Sequence, residues 1–200
     1  SFSERSSQEL DQALRSLEHQ GMESLILDLR GNPGGLLTAA IDVANKFVSE
    51  GPILHVVGRN GARQTVEAFA EGARRRYPMV VLVDGYSASA SEIVSGALKD
   101  TGIATLVGAQ TFGKGLVQTV IPLRDGSALS LTTARYQTAG GNDIHSVGIQ
   151  PDVVVELPEG EEPPYYASDV EGGNGVDVSK DIQLQAALEL IQSRTLPKAS

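Results

Sequence analysis

Apolar residues along the first 110 positions alternate between short continuous runs and helical stripes. The continuous runs predict buried strands at 24–31, 78–85 and 104–109. The helical stripes predict helices at 6–20, 36–49 and 91–100. This order of strand, helix, strand, helix and strand predicts β-α-β units, and therefore an α/β fold with a mostly parallel sheet between helices.

The rest of the chain carries different patterns. Two β-rich runs around Arg59-Asn60-Gly61 predict a hairpin. Later runs at 116–123 and 128–138, separated by a short turn, predict an additional antiparallel region. We expect a core domain at 1–157, an acidic connector rich in Pro and Gly at 158–178, and a C-terminal helical segment at 179–200.

Composition narrows the class of protein. The 200 residues suit one domain with an appendage, and 40% apolar residues with only 4% aromatic ones predict a core of Val, Ile, Leu and Ala. A formal net charge of −9 argues against nucleic acid or an anionic membrane as a partner, because both need a basic face. The absence of cysteine excludes a disulfide framework, a thiolate metal site and a cysteine nucleophile.

Several familiar functional motifs are missing. The three histidines, His19, His55 and His145, have no metal-ligand spacing, so no metal site is predicted. The segment "GNPGG" has neither the glycine spacing of a Rossmann motif nor the Gly-Lys-Ser/Thr of a Walker motif. Gly-x-Ser-x-Gly is also absent, so the nucleophile elbow of an α/β-hydrolase is not predicted.

A serine-rich turn and a glycine-flanked lysine remain as candidate chemistry. In "SASASEI" each of Ser87, Ser89 and Ser91 could be a helix cap, a turn residue or a nucleophile. The segment "GKG" places Lys114 at the mouth of a core element, where a lysine loses hydration. The neutral amine that this favours can take a proton from a serine hydroxyl. From the residues alone, an exposed turn lysine is the commoner explanation.

Two charged patterns have structural explanations. Ser89 and Glu92 have the Ser-x-x-Glu spacing of a capping box, which would contribute stability alone. Asp28 and Arg30 follow a buried strand and predict an ion pair that organises the next turn.

Four sequence motifs, taken in order, favour the catalytic explanation of these residues over the structural ones. "LILDLRGNPGGLL", "VDGYSASASEIVSGALKD", "LVGAQTFGKGLVQ" and "SLTTARYQTAGGNDIHSVGIQPDVVV" resemble the carboxyl-terminal processing peptidases, or tail-specific proteases, of the S41 serine peptidase family. Together they cover about 24–155, and four ordered motifs are far more specific than one.

The resemblance implies a Ser-Lys mechanism. Matched residue by residue, Ser89 is the nucleophile, Lys114 the general base and Gln118 the residue that orients the lysine. It also implies an oxyanion hole made of the backbone N–H groups of Ala90 and Gly35, with Gly34 as the near alternative.

The expected activity is a serine endopeptidase that cleaves polypeptides near their C-termini through an acyl-enzyme, without metal or organic cofactor. The resemblance further implies a crotonase/ClpP-like core with β-β-α units. It implies substrates with exposed C-terminal tails, a PDZ domain in the full-length protein and an extracytoplasmic location, periplasmic or membrane-associated, and it allows a homo-oligomer. Neither the preceding family strand nor a PDZ segment is recognisable here, so we expect weak activity from this stretch alone.

Two other functions fit the same core. One is a noncatalytic peptide-binding module, against which the presence of Ser89, Lys114 and Gln118 counts. The other is a crotonase-type enzyme that acts on acyl-CoA, which would need the oxyanion amides but neither the serine nor the lysine.

Overall fold

The computed structural model describes residues 1–73, 77–158 and 178–193. Its helices are α1 (Ser6–His19), α2 (Leu37–Ala44), α3 (Ala90–Asp100) and α4 (Ile182–Gln192). Its strands are β1 (Leu25–Asp28), β2 (Pro52–Gly58), β3 (Arg63–Glu67), β4 (Met79–Val83), β5 (Thr105–Gly108), β6 (Leu116–Pro122), β7 (Ala128–Thr138) and β8 (Val153–Val154). Within these residues no helix has the length and apolar character needed to cross a membrane.

The first sheet is parallel, as the β-α-β pattern predicts. Its strand order is β1-β4-β5-β8. The fourth strand, β8, was not predicted, because two residues are too few to show a period. The prediction of a mixed α/β fold, with parallel strands first and antiparallel strands added, is confirmed.

Strand β4 shows why the parallel sheet is apolar on both faces. All five of its residues are buried. Met79, Val81 and Val83 belong to the main core, whereas Val80 and Leu82 belong to a smaller cluster with α4. Successive side chains of a strand point to opposite faces, so the continuous apolar run indicates that helices cover both faces of the sheet.

The second sheet is antiparallel, with strand order β3-β2-β7-β6. The predicted hairpin is confirmed as β2 and β3, and the predicted strands at 116–123 and 128–138 are β6 and β7. The far ends of β6 and β7 form a two-stranded arm, and residues 118–131 are exposed. Helix α3 contacts β5 of the parallel sheet and β2 and β7 of the antiparallel sheet, so it joins the two sheets.

Helix α4 covers the outer face of the parallel sheet. Ala187 is buried there with Val80, Leu82 and Val107. At the start of α4, the side chain of Asp181 is fully buried and forms an ion pair with Arg30, with 2.7 Å between Nη2 and Oδ2. A buried charge is tolerated only when it is paired and hydrogen-bonded, so this contact fixes where α4 begins on the sheet.

Two sequence-based boundaries need correction. The helix expected at 36–49 ends at Ala44, because Asn45 leaves the helix and exchanges two side-chain hydrogen bonds with the backbone of Phe69. In the C-terminal segment expected at 179–200, the helix spans Ile182–Gln192. Most of the expected connector, 159–177, and residues 194–200 lie outside the described residues.

Gly96 lets α3 pack closely against the antiparallel sheet. A Cβ atom added there would stand 2.9 Å from Cγ2 of Thr138 on β7. We therefore expect Gly96→Val to lower the free energy of unfolding by about 1–3 kcal/mol through overpacking. Urea unfolding measures this free energy. The control is Ala13→Val on the exposed face of α1, which we expect within about 0.5 kcal/mol of wild type. Equal effects of the two substitutions would contradict the packing argument.

The Asp181 carboxyl should make stability depend on acid pH. Burial raises its pKa, but the hydrogen bond and charge of Arg30 and the N–H of Leu184 outweigh burial, and the net pKa is lowered. A carboxyl with a lowered folded pKa stabilises the protein above its unfolded pKa of about 3.9, and that stabilisation is lost as the pH falls through the folded value. Asp181→Asn should therefore be less stable than wild type at neutral pH, and the difference should shrink in acid.

Urea unfolding at several pH values measures this difference, with exposed Asp42→Asn as the control. A difference between wild type and Asp181→Asn that stays constant with pH would contradict the prediction.

Candidate active site

The candidate site lies where β1 and β4 of the parallel sheet end. Strand β4 ends at Val83, and five residues lead from it to Ser89, the residue before α3. Strand β1 ends at Asp28 and continues into the "GNPGG" turn. Carboxyl ends of neighbouring parallel strands meet at one edge of a sheet, which is where open α/β sheets hold their ligands.

Ser89 occupies a strained backbone position, with φ 55° and ψ −110°. It is one of two residues other than glycine with a positive φ among those described, and such a conformation costs about 1–3 kcal/mol. Its peptide N–H donates to Oε2 of Glu92 at 2.8 Å, which forms one half of the expected capping box. The other half of the box is present as well, with the Glu92 N–H directed at the Ser89 side chain but hydrogen-bonded to the Ser89 carbonyl, at 2.9 Å.

The two neighbouring serines are structural. Ser87 is buried, and its hydroxyl donates to the Leu29 carbonyl at 2.8 Å. Ser91 is also buried, and its hydroxyl donates to the Asn32 carbonyl at 2.9 Å. Of the three serines in this turn, Ser89 alone is partly exposed.

Glu92 connects the serine turn to the lysine loop. Its side chain is fully buried and accepts four hydrogen bonds. Oε2 accepts from the backbone N–H groups of Ser89 and Lys114, each at 2.8 Å. Oε1 accepts from the Thr111 hydroxyl at 2.6 Å and from the Gly113 N–H at 2.7 Å. One oxygen atom thus holds the backbones of Ser89 and Lys114 side by side.

The two glycines around Lys114 allow the close approach that the sequence predicts. A Cβ at Gly115 would stand 2.5 Å from the backbone nitrogen of His145. A Cβ at Gly113 would be 3.1 Å from the backbone nitrogen of Val147. The loop is therefore pressed against 144–148, but the side chain of Lys114 is exposed, so the loss of hydration expected at this position is not found. Within the described residues, neither a hydrogen bond nor an ion pair engages its amine.

Gln118 lies on β6 and faces β7. Its amide nitrogen donates to the Thr132 hydroxyl at 2.7 Å, and its amide oxygen accepts from Ser130 at 3.1 Å. Lys114 precedes β6 and the strand register shifts between Val117 and Gln118, so regular strand alternation does not put the two side chains on one face. Among the described residues no hydrogen bond joins Gln118 to Lys114.

The glycine turn touches the serine turn directly. A Cβ at Gly34 would be 2.9 Å from both the Ala90 nitrogen and the Ser89 Cβ, so only glycine fits this approach. The Gly34 N–H is already donated to Oδ1 of Asn32 at 3.0 Å. In the described part of the chain, the N–H groups of Gly35 and Ala90 have no acceptor. Of the two glycines, Gly35 therefore keeps its N–H for a ligand.

Buried Asp84 holds the two turns together. Its carboxylate accepts from the Gly31 N–H at 3.1 Å and, on the serine turn, from the N–H groups of Tyr86 and Ser87 at 3.0 and 2.9 Å. A second link runs through the Asn32 carbonyl, which accepts from the Ala88 N–H at 3.1 Å. The expected ion pair also forms, with 2.7 Å between Arg30 Nη2 and Asp28 Oδ2.

No group of His, Cys, Asp or Glu side chains suited to a metal ion occurs among the described residues. What the geometry offers chemically is a partly exposed hydroxyl, an amine on a neighbouring loop and two unengaged backbone N–H groups. This combination suits acyl transfer, in which a nucleophile attacks a carbonyl and N–H donors stabilise the oxyanion.

Comparison with known proteins agrees with this chemistry. The family model described as peptidase family S41 matches residues 1–155. The chain belongs to peptidase family S41.

Similar S41 proteins include a carboxyl-terminal-processing protease from Synechocystis sp., 46% identical over 190 residues, which cover 95% of this chain and 42% of the relative. The carboxy-terminal processing protease CtpA of Bacillus subtilis is 45% identical over 170 residues, with 84% and 36% covered. A solved structure of a photosystem II D1 C-terminal processing protease matches with TM-score 0.74 and 41% identity, over 78% of this chain and 40% of that one. The chain thus spans less than half the length of these relatives.

Sequence reasoning missed part of the candidate site. Glu92 was expected only as a capping residue, and its contacts with Thr111 and Gly113 were not foreseen. The sequence carries one sign that Glu92 is buried, because this glutamate stands at the start of a helix whose next residues are apolar or small. Asn32 and Asp84 carried no comparable signal, because polar residues are ordinary in turns.

Removing a buried acceptor of four hydrogen bonds should be severe. We expect Glu92→Ala to lower the free energy of unfolding by about 3–5 kcal/mol, because the donors of two loops lose their partner. Glu92→Gln should also destabilise, because its amide NH₂ would face donors. Urea unfolding measures both, with exposed Glu23→Gln as the control, expected within about 0.5 kcal/mol of wild type. A loss below about 1 kcal/mol for Glu92→Ala would show that Glu92 does not hold the loops.

Proposed function

We propose that this chain carries the catalytic site of a serine endopeptidase that cleaves polypeptides near their C-termini. Ser89 is the nucleophile, Lys114 the general base, and the N–H groups of Ala90 and Gly35 form the oxyanion hole. The observation that carries the proposal is the sharing of one Glu92 oxygen by the backbones of Ser89 and Lys114.

The first half of the reaction forms an acyl-enzyme. The amine of Lys114 accepts the proton of the Ser89 hydroxyl, and the serine oxygen forms a bond to the scissile carbonyl carbon. The negative charge that develops on the carbonyl oxygen is stabilised by two N–H donors, each contributing about 3–4 kcal/mol. The C–N bond then breaks, and the leaving amine takes the proton from the Lys114 ammonium.

The second half returns the free enzyme. Water loses a proton to Lys114 and attacks the ester carbonyl, and the tetrahedral intermediate uses the same two N–H donors. The bond to the serine oxygen breaks, and the serine recovers its proton from Lys114. No step needs a metal or an organic cofactor.

Two features of the site support these roles. The strained backbone of Ser89 resembles the turn of a nucleophile elbow, which presents a serine hydroxyl above the end of a sheet. Ala90, one of the two proposed oxyanion donors, is the first residue of α3, and the positive end of a helix supports such a role. The side chain of Gln118 is hydrogen-bonded to β7 here. Its proposed role is to bond to Lys114 instead when substrate is bound.

The finer family features belong to the same proposal. The helix-joined parallel and antiparallel sheets support a crotonase/ClpP-like core with β-β-α units. Substrates are polypeptides with exposed C-terminal tails, a class supported by the printed names of the relatives. A PDZ domain in the full-length protein, a homo-oligomer and an extracytoplasmic location stay predictions from the family resemblance.

The test is peptide cleavage by the full-length protein. We expect Ser89→Ala and Lys114→Met each to lower kcat at least about 1,000-fold with a small change in KM, because each removes a group used in every step. Exposed Ser16→Ala on α1 is the control and should cleave at the wild-type rate.

Mass spectrometry should further find the acyl group of a slow ester substrate on Ser89. Cleavage at the wild-type rate by Ser89→Ala, or an acyl group on Ser87 or Ser91, would show that the proposed mechanism is wrong. Turnover of an acyl-CoA that survives Ser89→Ala would indicate crotonase-type chemistry.

A further inference from the structure

The N-terminal end of α4 reaches the strand end that leads into the glycine turn. Asp181 caps the helix, with Oδ1 accepting from the Leu184 N–H at 2.9 Å. Asp181 and Gln183 are both buried, and both are bonded to Arg30. These contacts join residues that are 151 and 153 positions apart in the sequence.

The Arg30 guanidinium is held on two sides. Toward α4, Nη1 donates to Asp181 Oδ1 at 2.9 Å and to Gln183 Oε1 at 3.0 Å, while Nη2 donates to Asp181 Oδ2 at 2.7 Å. Toward β1, Nε donates to Asp28 Oδ1 at 3.0 Å. A paired, bidentate guanidinium has one favoured orientation, so these bonds fix the Arg30 side chain rather than merely neutralising it.

Gln183 extends the contact to a third element. Its amide nitrogen donates to the Val155 carbonyl at 2.7 Å, just beyond β8, while its amide oxygen accepts from Arg30. Both ends of the amide are therefore used. The start of α4, the end of β1 and the segment after β8 are tied together by buried polar contacts, which we call the Arg30 tether (Asp28, Arg30, Asp181 and Gln183).

The Arg30 tether lies directly before the glycine turn. The next residue, Gly31, has φ 65° and donates its N–H to Asp84, whose carboxylate also binds the serine turn. Asn32 then contacts Ala88, and Gly35 follows within five residues of Arg30. The turn is thus bonded to the serine turn along its length and to α4 at its beginning.

We propose that Asp181 and Gln183 are positioning residues for the peptidase reaction. By orienting Arg30, the docked α4 sets the path of residues 31–35 and so the direction of the Gly35 N–H toward the oxyanion. This inference rests on the proposed function. Asp181 and Gln183 act through Arg30 and the turn, so their loss should affect the transition state more than substrate binding.

The experiment combines kinetics with hydrogen exchange in the full-length protein. Asp181→Ala should lower kcat about 10- to 100-fold, less than the loss of a whole oxyanion donor, with KM changed less than about twofold. Gln183→Ala, which removes one bond to Arg30, should give a smaller effect in the same direction. In both variants the hydrogen-bonded backbone amides of Gly31, Asn32 and Gly34 should exchange faster, while those of β5 should not.

The control separates positioning from stability. Leu190→Ala trims the packing of α4 on the sheet without touching Arg30, and should cost stability while leaving kcat and amide exchange at 31–35 unchanged. Asp181→Asn, which keeps the shape of the side chain and one acceptor oxygen, should recover part of the kcat lost in Asp181→Ala.

Three results would overturn the inference. One is an equal kcat loss in Leu190→Ala and Asp181→Ala at matched stability, and another is no recovery in Asp181→Asn. The third is unchanged exchange at 31–35 in Asp181→Ala and Gln183→Ala. Exchange is measured without substrate, so it tests whether Asp181 and Gln183 hold the glycine turn separately from whether Ser89→Ala supports the proposed function. If Asp181→Ala fails to fold, Gln183→Ala carries the same comparison.

Discussion

The candidate site depends on a carboxylate that is buried with its partners. Glu92 has no exposed surface, and burial of such a group is tolerated only if its oxygen lone pairs are satisfied. The four donors come from two segments, the serine turn before α3 and the loop from Thr111 to Lys114. Core formation therefore requires these two segments to meet. The neighbourhood of Ser89 and Lys114 is a consequence of packing, and it does not depend on an interaction between their exposed side chains.

The architecture supplies the other constraints on the site. Parallel strands β1 and β4 end at one edge, and their following turns are bonded to each other through Asp84 and Asn32. Helix α3 is fixed between two sheets, with Gly96 packed against Thr138 of β7. These bonds allow Ser89 to keep a backbone conformation that an isolated turn would relax. Strain at one residue is thus balanced by hydrogen bonds from several elements.

A buried cation complements the buried carboxylate. Hydrogen bonds and charges of Asp28 and Asp181 more than offset the burial of Arg30, and they raise the pKa of its guanidinium above the ordinary value. Glu92 orders the site from the side of α3, whereas Arg30 orders it from the side of α4. Between them lies the glycine turn, which has no core side chains of its own and takes its shape from its neighbours. A flexible sequence therefore becomes a fixed arrangement of N–H groups.

The amino-acid sequence by itself determined most of the secondary elements, though not β8, and the identity of the candidate residues. The alternation of apolar and hydroxyl residues places β7 at 128–138 with both bounds as observed, although residues 128–131 of this strand are all exposed. The ordered motifs single out Ser89, Lys114 and the paired glycines, and the short spacing of Asp28 and Arg30 predicts their ion pair. Only the tertiary structure decided that Glu92 binds the lysine loop, that Gln118 bonds to β7 and that Asp181 completes the pairing of Arg30. A periodic pattern tells which side of an element is buried, but a hydrogen bond between distant residues depends on which elements meet, and that is settled when the sheets and helices pack.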